Sequence, residues 1–278
     1  MKKRKIVWLI LAIIFFLLFL GSSLLLMHQL GIFGKDDGDR AKEVGKKGNH
    51  EDIFTTSATV TEPTDGTHTD GTGDTVPEPP LPDNPIDFEN LWGYNTDIYA
   101  WIEVPGTPID YPILQSDESS DYYHRRNWLG QSDVAGCIYT QYYNRKDFTD
   151  PNTVIYGHYM WNGTFFGSLH DFRDPEFFAQ NRYIYIYIPG HALKYEIFAA
   201  YEYDNRHILN AYNFSSDEEF EKYLQTCLNP ASMSRNVLEG VTLTSEDRIV
   251  TLSTCLANGD SSKRYLVQGV LVEDVRTK

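Results

Sequence analysis

Cys255 stands where a strand-like run ends in a polar loop, a position at which a side chain can reach a ligand. The strand-like run 248–254 precedes it, and the polar loop 256–263 follows it. Arg264 opens the next strand-like run, so pairing of the two runs as a hairpin would place its guanidinium beside the thiol. A nearby cation favours the thiolate, which is the nucleophilic form of cysteine. Cys255 and Arg264 are therefore the first candidates for nucleophilic chemistry.

His158 is the candidate proton carrier, because it follows Gly157 at the end of the apolar run 153–156. Formation of a thioester needs a thiolate for attack and a proton donor for the leaving amine, and a Cys/His pair supplies both. With ordinary pKa values of about 8.5 and 6.5, the thiolate–imidazolium form is only about 1% of the neutral pair. Arg264 would favour the thiolate but disfavour the imidazolium, so the two effects oppose each other.

The other cysteines fit structural roles. Cys227 falls on the apolar face of a predicted helix, and Cys137 lies at the start of a short strand. We interpret Cys227 as a small buried side chain, whereas Cys137 has no neighbours in the sequence that suit a site. A disulfide between the two stays open. No Cys or His pair shows the spacing of zinc ligands, so we predict neither a metal nor another cofactor.

Many short strands must position these residues. Residues 183–188 alternate Tyr and Ile before Pro189-Gly190, a period-2 pattern that a turn ends. Similar runs cover 98–104, 153–156, 193–203, 248–254 and 265–272. So many short strands with few helices between them predict a mainly β fold, an antiparallel barrel or sandwich.

Two helices are predicted within this domain. Ser216 and Glu219 have the spacing of a capping box, and apolar residues then recur at helical spacing up to Leu228. A weaker pattern predicts a helix over 88–94 at the start of the domain.

The string Thr251-Leu252-Ser253-Thr254-Cys255, with Arg264 nine residues later and Tyr156-Gly157-His158 upstream, resembles the active-site signature of the sortases. These are the cell-wall transpeptidases of Gram-positive bacteria. The resemblance covers residues 86–278 and is greatest to class B, because of the TLSTC form and the room for a helix over 216–228. It implies an eight-stranded β-barrel with an N-terminal helical segment and that inserted helix.

The resemblance also implies roles for individual residues. Cys255 becomes the nucleophile, His158 the general acid or base, and Arg264 the group that stabilises the oxyanion or holds the substrate backbone. The implied substrate-binding residues, which would line the peptide groove, are Tyr156, Ser253 and Thr254. Leu256 departs from class B members that have an acidic residue after the cysteine, so no role is transferred to it.

The implied reaction is cleavage of a sorting signal in a secreted protein and transfer of the acyl group to an amine. The signal could be LPxTG-like or NPxTN-like, and the acceptor a peptidoglycan precursor or a pilin. Two alternatives remain: a cysteine peptidase that passes the acyl group to water, and a non-catalytic surface-binding barrel. The formal charge of −15 argues against a nucleic-acid partner.

The N-terminal 84 residues differ from the rest. Ile6 to Met27 are 22 residues without a charge, enough to cross a bilayer, and longer than the apolar part of a cleaved signal peptide. Four basic residues precede this run. They predict that the run spans the cell membrane with the N-terminus on the cytoplasmic side. We therefore expect three regions: a single-pass anchor over 1–34, a disordered extracytoplasmic stalk over 35–84, and an extracytoplasmic catalytic domain over 85–278.

Overall fold

The computed structural model describes residues 13–22, 37–48, 53–54 and 80–278. Of the predicted anchor, Ile6 to Met27, only residues 13–22 are described, and they are helical. Within the described ranges, no helix has both the length and the hydropathy needed to cross a bilayer.

The part of the chain that the structure describes forms one nine-stranded sheet. Alternation of β-branched and aromatic residues gives these strands one face for a core. The strands are β1 Ile98–Glu103, β2 Asp110–Leu114, β3 Ile138–Thr140, β4 Asn152–Tyr156, β5 Tyr183–Ile188, β6 His191–Asp204, β7 Arg235–Val237, β8 Ile249–Cys255 and β9 Lys263–Arg276.

Eight of these strands close into a barrel, which confirms the predicted fold. Their order is β5-β1-β2-β3-β4-β8-β9-β6, and β6 pairs back with β5, while β7 pairs only along the edge of β6. The barrel is not wholly antiparallel, because β2–β3 and β4–β8 are parallel pairs. The sequence pattern could not reveal this, since parallel strands are joined by long crossovers and not by local turns.

Helices lie around the barrel: α1 Asp37–Gly45, α2 Phe88–Trp92, α3 Pro175–Gln180, α4 Ile208–Ala211 and α5 Asp217–Leu228, with 3₁₀ helices over Tyr122–Arg125 and Gly167–Arg173. The predicted inserted helix is α5. The Ser216 hydroxyl accepts a hydrogen bond from the Glu219 N–H, and Phe220, Tyr223 and Leu224 are buried. The predicted opening helix is α2, which ends two residues earlier than expected.

Cys137 and Cys227 are buried in different apolar clusters. Cys137 lies in a cluster with Trp101 and Tyr139, whereas Cys227, on the buried face of α5, lies in a cluster with Phe198. All three cysteines are within the described residues, and none forms a disulfide. The Cys137–Cys227 pairing left open by the sequence is therefore absent.

The prediction of a disordered stalk is wrong for residues 37–48. Residue Ala41 of α1 is fully buried, and the carbonyl of Gly45 accepts a hydrogen bond from the Asp87 N–H at 2.7 Å. Lys46 donates to Asp110 at 2.9 Å and to Glu103 at 3.3 Å, which fixes the end of α1 against β1 and β2. Ala41, Gly45 and Lys46, which make these contacts, form no apolar periodicity that could indicate them.

A second described part of the predicted stalk is also packed. Ile53 and Phe54 are buried, and the Phe54 ring lies 5.1 Å from that of Tyr185, centroid to centroid. The remainder of the predicted stalk, apart from residues 80–84, lies outside the described residues.

Candidate active site

The candidate residues come from two strand pairs that end at the same edge of the barrel. Tyr156, the last residue of β4, is paired in parallel with Ser253 of β8. His158 follows Tyr156 by two residues, and Cys255 follows Ser253 by two residues. On the other side of β8, Cys255 is paired with Arg264 of β9, which confirms the predicted hairpin.

All six residues selected from the sequence line one small cavity of about 190 Å³. The lining consists of His124, Tyr139, Tyr156, Gly157, His158, Ser253, Thr254, Cys255 and Arg264. Cys255 is exposed, whereas Cys137 and Cys227 are buried, so only one thiol is open to a peptide.

Gly157 has a steric reason to be glycine. A Cβ at this position would lie 2.5 Å from Cδ1 of Ile138 and 2.7 Å from the ring of Phe166. The Gly157 N–H also donates to the Ser253 carbonyl at 3.2 Å, which continues the β4–β8 pairing as far as the residue before His158. The backbone around Gly157 therefore brings His158 to the edge beside β8.

His158 is oriented by a backbone group. Its Nε2 lies 2.7 Å from the carbonyl oxygen of His124, and since a carbonyl can only accept, Nε2 carries the proton and donates. The two imidazole rings are 4.3 Å apart, centroid to centroid. This bond selects one tautomer of His158 and holds its ring in the cavity.

The ionisation of neighbouring groups follows from burial and from nearby cations. Burial lowers the pKa of His124, and His158, Arg125 and Arg264 lower it further. Burial raises the pKa of Tyr156 despite the opposing effect of Arg264. His124 and Tyr156 are therefore neutral at neutral pH, and neither adds a charge to the cavity.

The Arg264 guanidinium contacts the backbone of its own loop. Its Nη1 donates to the carbonyl of Lys263 at 2.7 Å and to that of Ser261 at 3.1 Å. Arg264 thus helps to hold the loop that begins after Cys255.

Sequence reasoning missed two histidines near the cavity. His124 contacts His158, and His170 donates to the carbonyl oxygen of Cys255 at 3.0 Å. Both lie in 3₁₀ helices, in polar contexts that gave no local signal. Their contacts join residues 34 and 85 positions apart, which only the tertiary structure brings together.

Comparison with known proteins decides the family. A model of the sortase domain matches residues 102–272, more than half of the chain. The chain belongs to the sortase family. Sortase B of Listeria monocytogenes is 36% identical to this sortase over 188 residues, covering 67% of this chain and 74% of the relative.

Solved structures of sortase B also resemble this chain. The sortase superposes on the crystal structure of sortase B from B. anthracis in complex with AAEK1 with a TM-score of 0.60 and 34% identity, over 70% of this chain and 89% of the other. The Staphylococcus aureus sortase B–substrate complex gives a TM-score of 0.59 and 26% identity, over 67% and 84%. These relatives make the sortase a class B cysteine transpeptidase, and the predicted enzyme class is confirmed.

Proposed function

We propose that this sortase cleaves a sorting signal in a secreted protein through a thioester at Cys255 and transfers the acyl group to an amine. The observation that carries the proposal is that Cys255, His158 and Arg264 line one cavity, in which Cys255 presents the exposed thiol of the chain.

The two half-reactions use the three residues in turn. The Cys255 thiolate attacks the scissile carbonyl carbon, the C–N bond breaks, and the imidazolium form of His158 gives its second proton, on Nδ1, to the leaving amine. An acceptor amine then attacks the thioester, the C–S bond breaks, and the proton released by the amine passes to His158. Arg264 stabilises the oxyanion that forms in each step.

The peptide lies against the side of the cavity formed by β4 and β8. Tyr156 and Ser253 are cross-strand neighbours there, and Thr254 completes the lining. We assign these three residues to binding of the sorting signal, as the sequence resemblance implies. The signal is LPxTG-like or NPxTN-like, and the acceptor is a peptidoglycan precursor or a pilin amine.

The enzyme acts at the outer face of the cell membrane in this proposal. The uncharged run Ile6 to Met27 and the basic residues 2–5 support a single-pass anchor with a cytoplasmic N-terminus. Anchoring would raise the effective concentration of the site near membrane-bound substrates.

The test compares Cys255→Ala with the matched variant Cys227→Ala on a panel of quenched fluorescent pentapeptides. We expect Cys255→Ala to abolish cleavage with an unchanged melting temperature, because its side chain is exposed. Cys227→Ala should lower stability more than turnover, since it leaves a cavity under α5. Equal loss of turnover in two well-folded variants would remove Cys255 from the role of nucleophile.

The alternative of a peptidase differs only in the acceptor. We expect addition of an amine nucleophile, such as triglycine, to yield a peptide–amine conjugate that replaces the hydrolysis product. Hydrolysis that stays unchanged at saturating amine would favour the peptidase.

A further inference from the structure

His170 takes no part in the reaction proposed for this site. It lies in the 3₁₀ helix Gly167–Arg173, and its Nε2 is 3.0 Å from the carbonyl oxygen of Cys255. Since the carbonyl can only accept, Nε2 carries the proton and donates. One side chain thus holds the peptide group of the residue that bears the proposed nucleophile.

The same ring contacts the neighbours of the other two catalytic residues. It stacks on Tyr265, with centroids 4.9 Å apart and planes inclined by 24°, and it meets the edge of Tyr159 at 5.0 Å. Tyr265 follows Arg264 in the chain, and Tyr159 follows His158. His170 therefore lies between the three segments that carry the catalytic residues.

The position of the ring is strongly constrained. At Gly167, which begins the 3₁₀ helix, a Cβ would lie 2.1 Å from the Met160 carbonyl oxygen, so the helix packs directly on the backbone after Tyr159. At the other end of the helix, the guanidinium of Arg173 lies over the Tyr265 ring, with Cζ 5.1 Å from the ring centroid. The same guanidinium forms an ion pair with the Glu202 carboxylate at 2.9 Å. The helix can shift only if these contacts break.

The protonation state of His170 is also defined. Burial lowers its pKa, although the hydrogen bond to Cys255 opposes this effect. Its Nδ1 is buried and has no hydrogen-bond partner among the described residues. The ring is therefore neutral at neutral pH, with its one proton on the nitrogen that faces Cys255.

We propose that His170 is a positioning residue of this sortase, which holds the Cys255 peptide group in register with the segments of His158 and Arg264. It contacts no substrate in this role. The inference rests on the proposed function, because it takes Cys255, His158 and Arg264 as the catalytic residues. A displaced thiol would lose rate while peptide binding stayed intact.

Three substitutions of His170 distinguish the effect of its hydrogen bond to Cys255 from the effect of its aromatic ring. His170→Phe keeps an aromatic ring between Tyr159 and Tyr265 but removes the donor. His170→Gln and His170→Met both remove the ring and have similar length, and only Gln can donate to Cys255. His191→Phe is the matched control, because His191 opens β6 at the opposite end of the barrel from Arg264.

The measurements are kcat and KM for a cleaved pentapeptide, the melting temperature, and the alkylation rate of Cys255 by iodoacetamide at pH 7. We expect His170→Phe and His170→Met to lower kcat about tenfold with KM changed less than twofold. His170→Gln should recover kcat to within about threefold of the parent, and His191→Phe should match the parent. The alkylation rate should follow the same order.

Parent-like kcat and alkylation in folded His170→Phe and His170→Met, or equal losses in His170→Gln and His170→Met, would overturn the proposal. If His170→Phe fails to fold, the Gln and Met pair still decides, since both lose the same ring. If the parent cleaves no peptide of the panel, the proposed function fails. The alkylation rates then still show whether His170 positions the thiol.

Discussion

Cys255 and Arg264 are directly opposite each other in the last residue pair of the β8–β9 ladder. The nucleophile candidate and a permanent cation therefore stand at one strand end, and any movement of that end displaces both. The chain reverses between them through the loop 256–262. The Arg264 guanidinium donates one hydrogen bond to this loop, at the Ser261 carbonyl, and one to the carbonyl of Lys263, which begins β9.

Replacement of Arg264 should show whether its shape or only its charge matters. Both observed hydrogen bonds come from Nη1, so the planar fork holds the loop with one nitrogen and can present others to the oxyanion. A lysine has a single nitrogen for both tasks. We expect Arg264→Lys to lower kcat about 10²–10³-fold, nearly as much as Arg264→Ala. A lysine variant with near-parental turnover would show that charge alone suffices.

Lys46 should contribute more to stability than its position outside the barrel suggests. Glu103 and Asp110 are paired across β1 and β2, and two carboxylates in such a pair repel each other unless a cation lies between them. Burial would lower the pKa of Lys46, but Asp110 and Glu103 outweigh it and the pKa is raised.

We expect Lys46→Ala to reduce the free energy of unfolding by about 2 kcal/mol, measured by urea denaturation. Lys47→Ala is the matched control, because the Lys47 side chain is 61% exposed and its pair with Asp87 should contribute less than about 1 kcal/mol. Similar losses in the two variants would mean that α1 is not held by Lys46.

The domain boundary can be tested by comparing two fragments. A fragment that begins at Asp83 lacks α1 and Phe54, and so exposes apolar surface of Leu91 and Tyr185 that they cover. We expect the fragment 37–278 to melt at a higher temperature than the fragment 83–278, with equal kcat where both are folded, because the cavity lies elsewhere. Equal melting temperatures of the two fragments would instead support a catalytic domain that begins at residue 85, as the sequence predicts.

Stability should fall as the pH is lowered from 7.5 to 5.5. Burial lowers the pKa of His124, His170 and His207, so below about 6.5 the unfolded chain binds protons that the folded chain does not. Stability rises with pH where the unfolded state binds more protons, so the loss begins near 6.5 and continues down to the lowered pKa values. Asp171, whose pKa burial raises, acts in the opposite sense.

The measurement for this prediction is the melting temperature at the two pH values, for the parent and for His207→Gln. The variant lacks one of the three titrating rings, so its melting temperature should fall less between pH 7.5 and 5.5. A parent melting temperature that stayed constant or rose would contradict the prediction.

Local patterns predicted the elements that place the thiol. The strand before Cys255, its hairpin with Arg264 and the capped helix after Ser216 each depend on residues close in the chain, and the structure contains all three. The family resemblance added the closure of the barrel, which no single segment of the chain specifies.

The contacts that were not predicted join residues far apart in the chain or use unremarkable residue types. The packing of α1 uses two small residues, the buried Ala41 and Gly45 against Leu91, and the ion pairs of Lys46. His158 is bonded to the backbone carbonyl of His124, and His170 to that of Cys255. A backbone acceptor cannot be recognised from the residue type in a sequence. Such contacts can be identified only from the three-dimensional structure.

The parallel pairing of β4 with β8 has a consequence for when the chain becomes competent for chemistry. It joins segments about 97 residues apart, so a large loop must close before His158 and Cys255 become neighbours. Contacts of such long separation are slow to form, and β9, which brings Arg264, follows β8 at the end of the chain. Until the barrel is complete, the Cys255 thiol thus stays apart from His158 and Arg264. Under the proposed function, the chain therefore gains its reactivity only when the barrel closes.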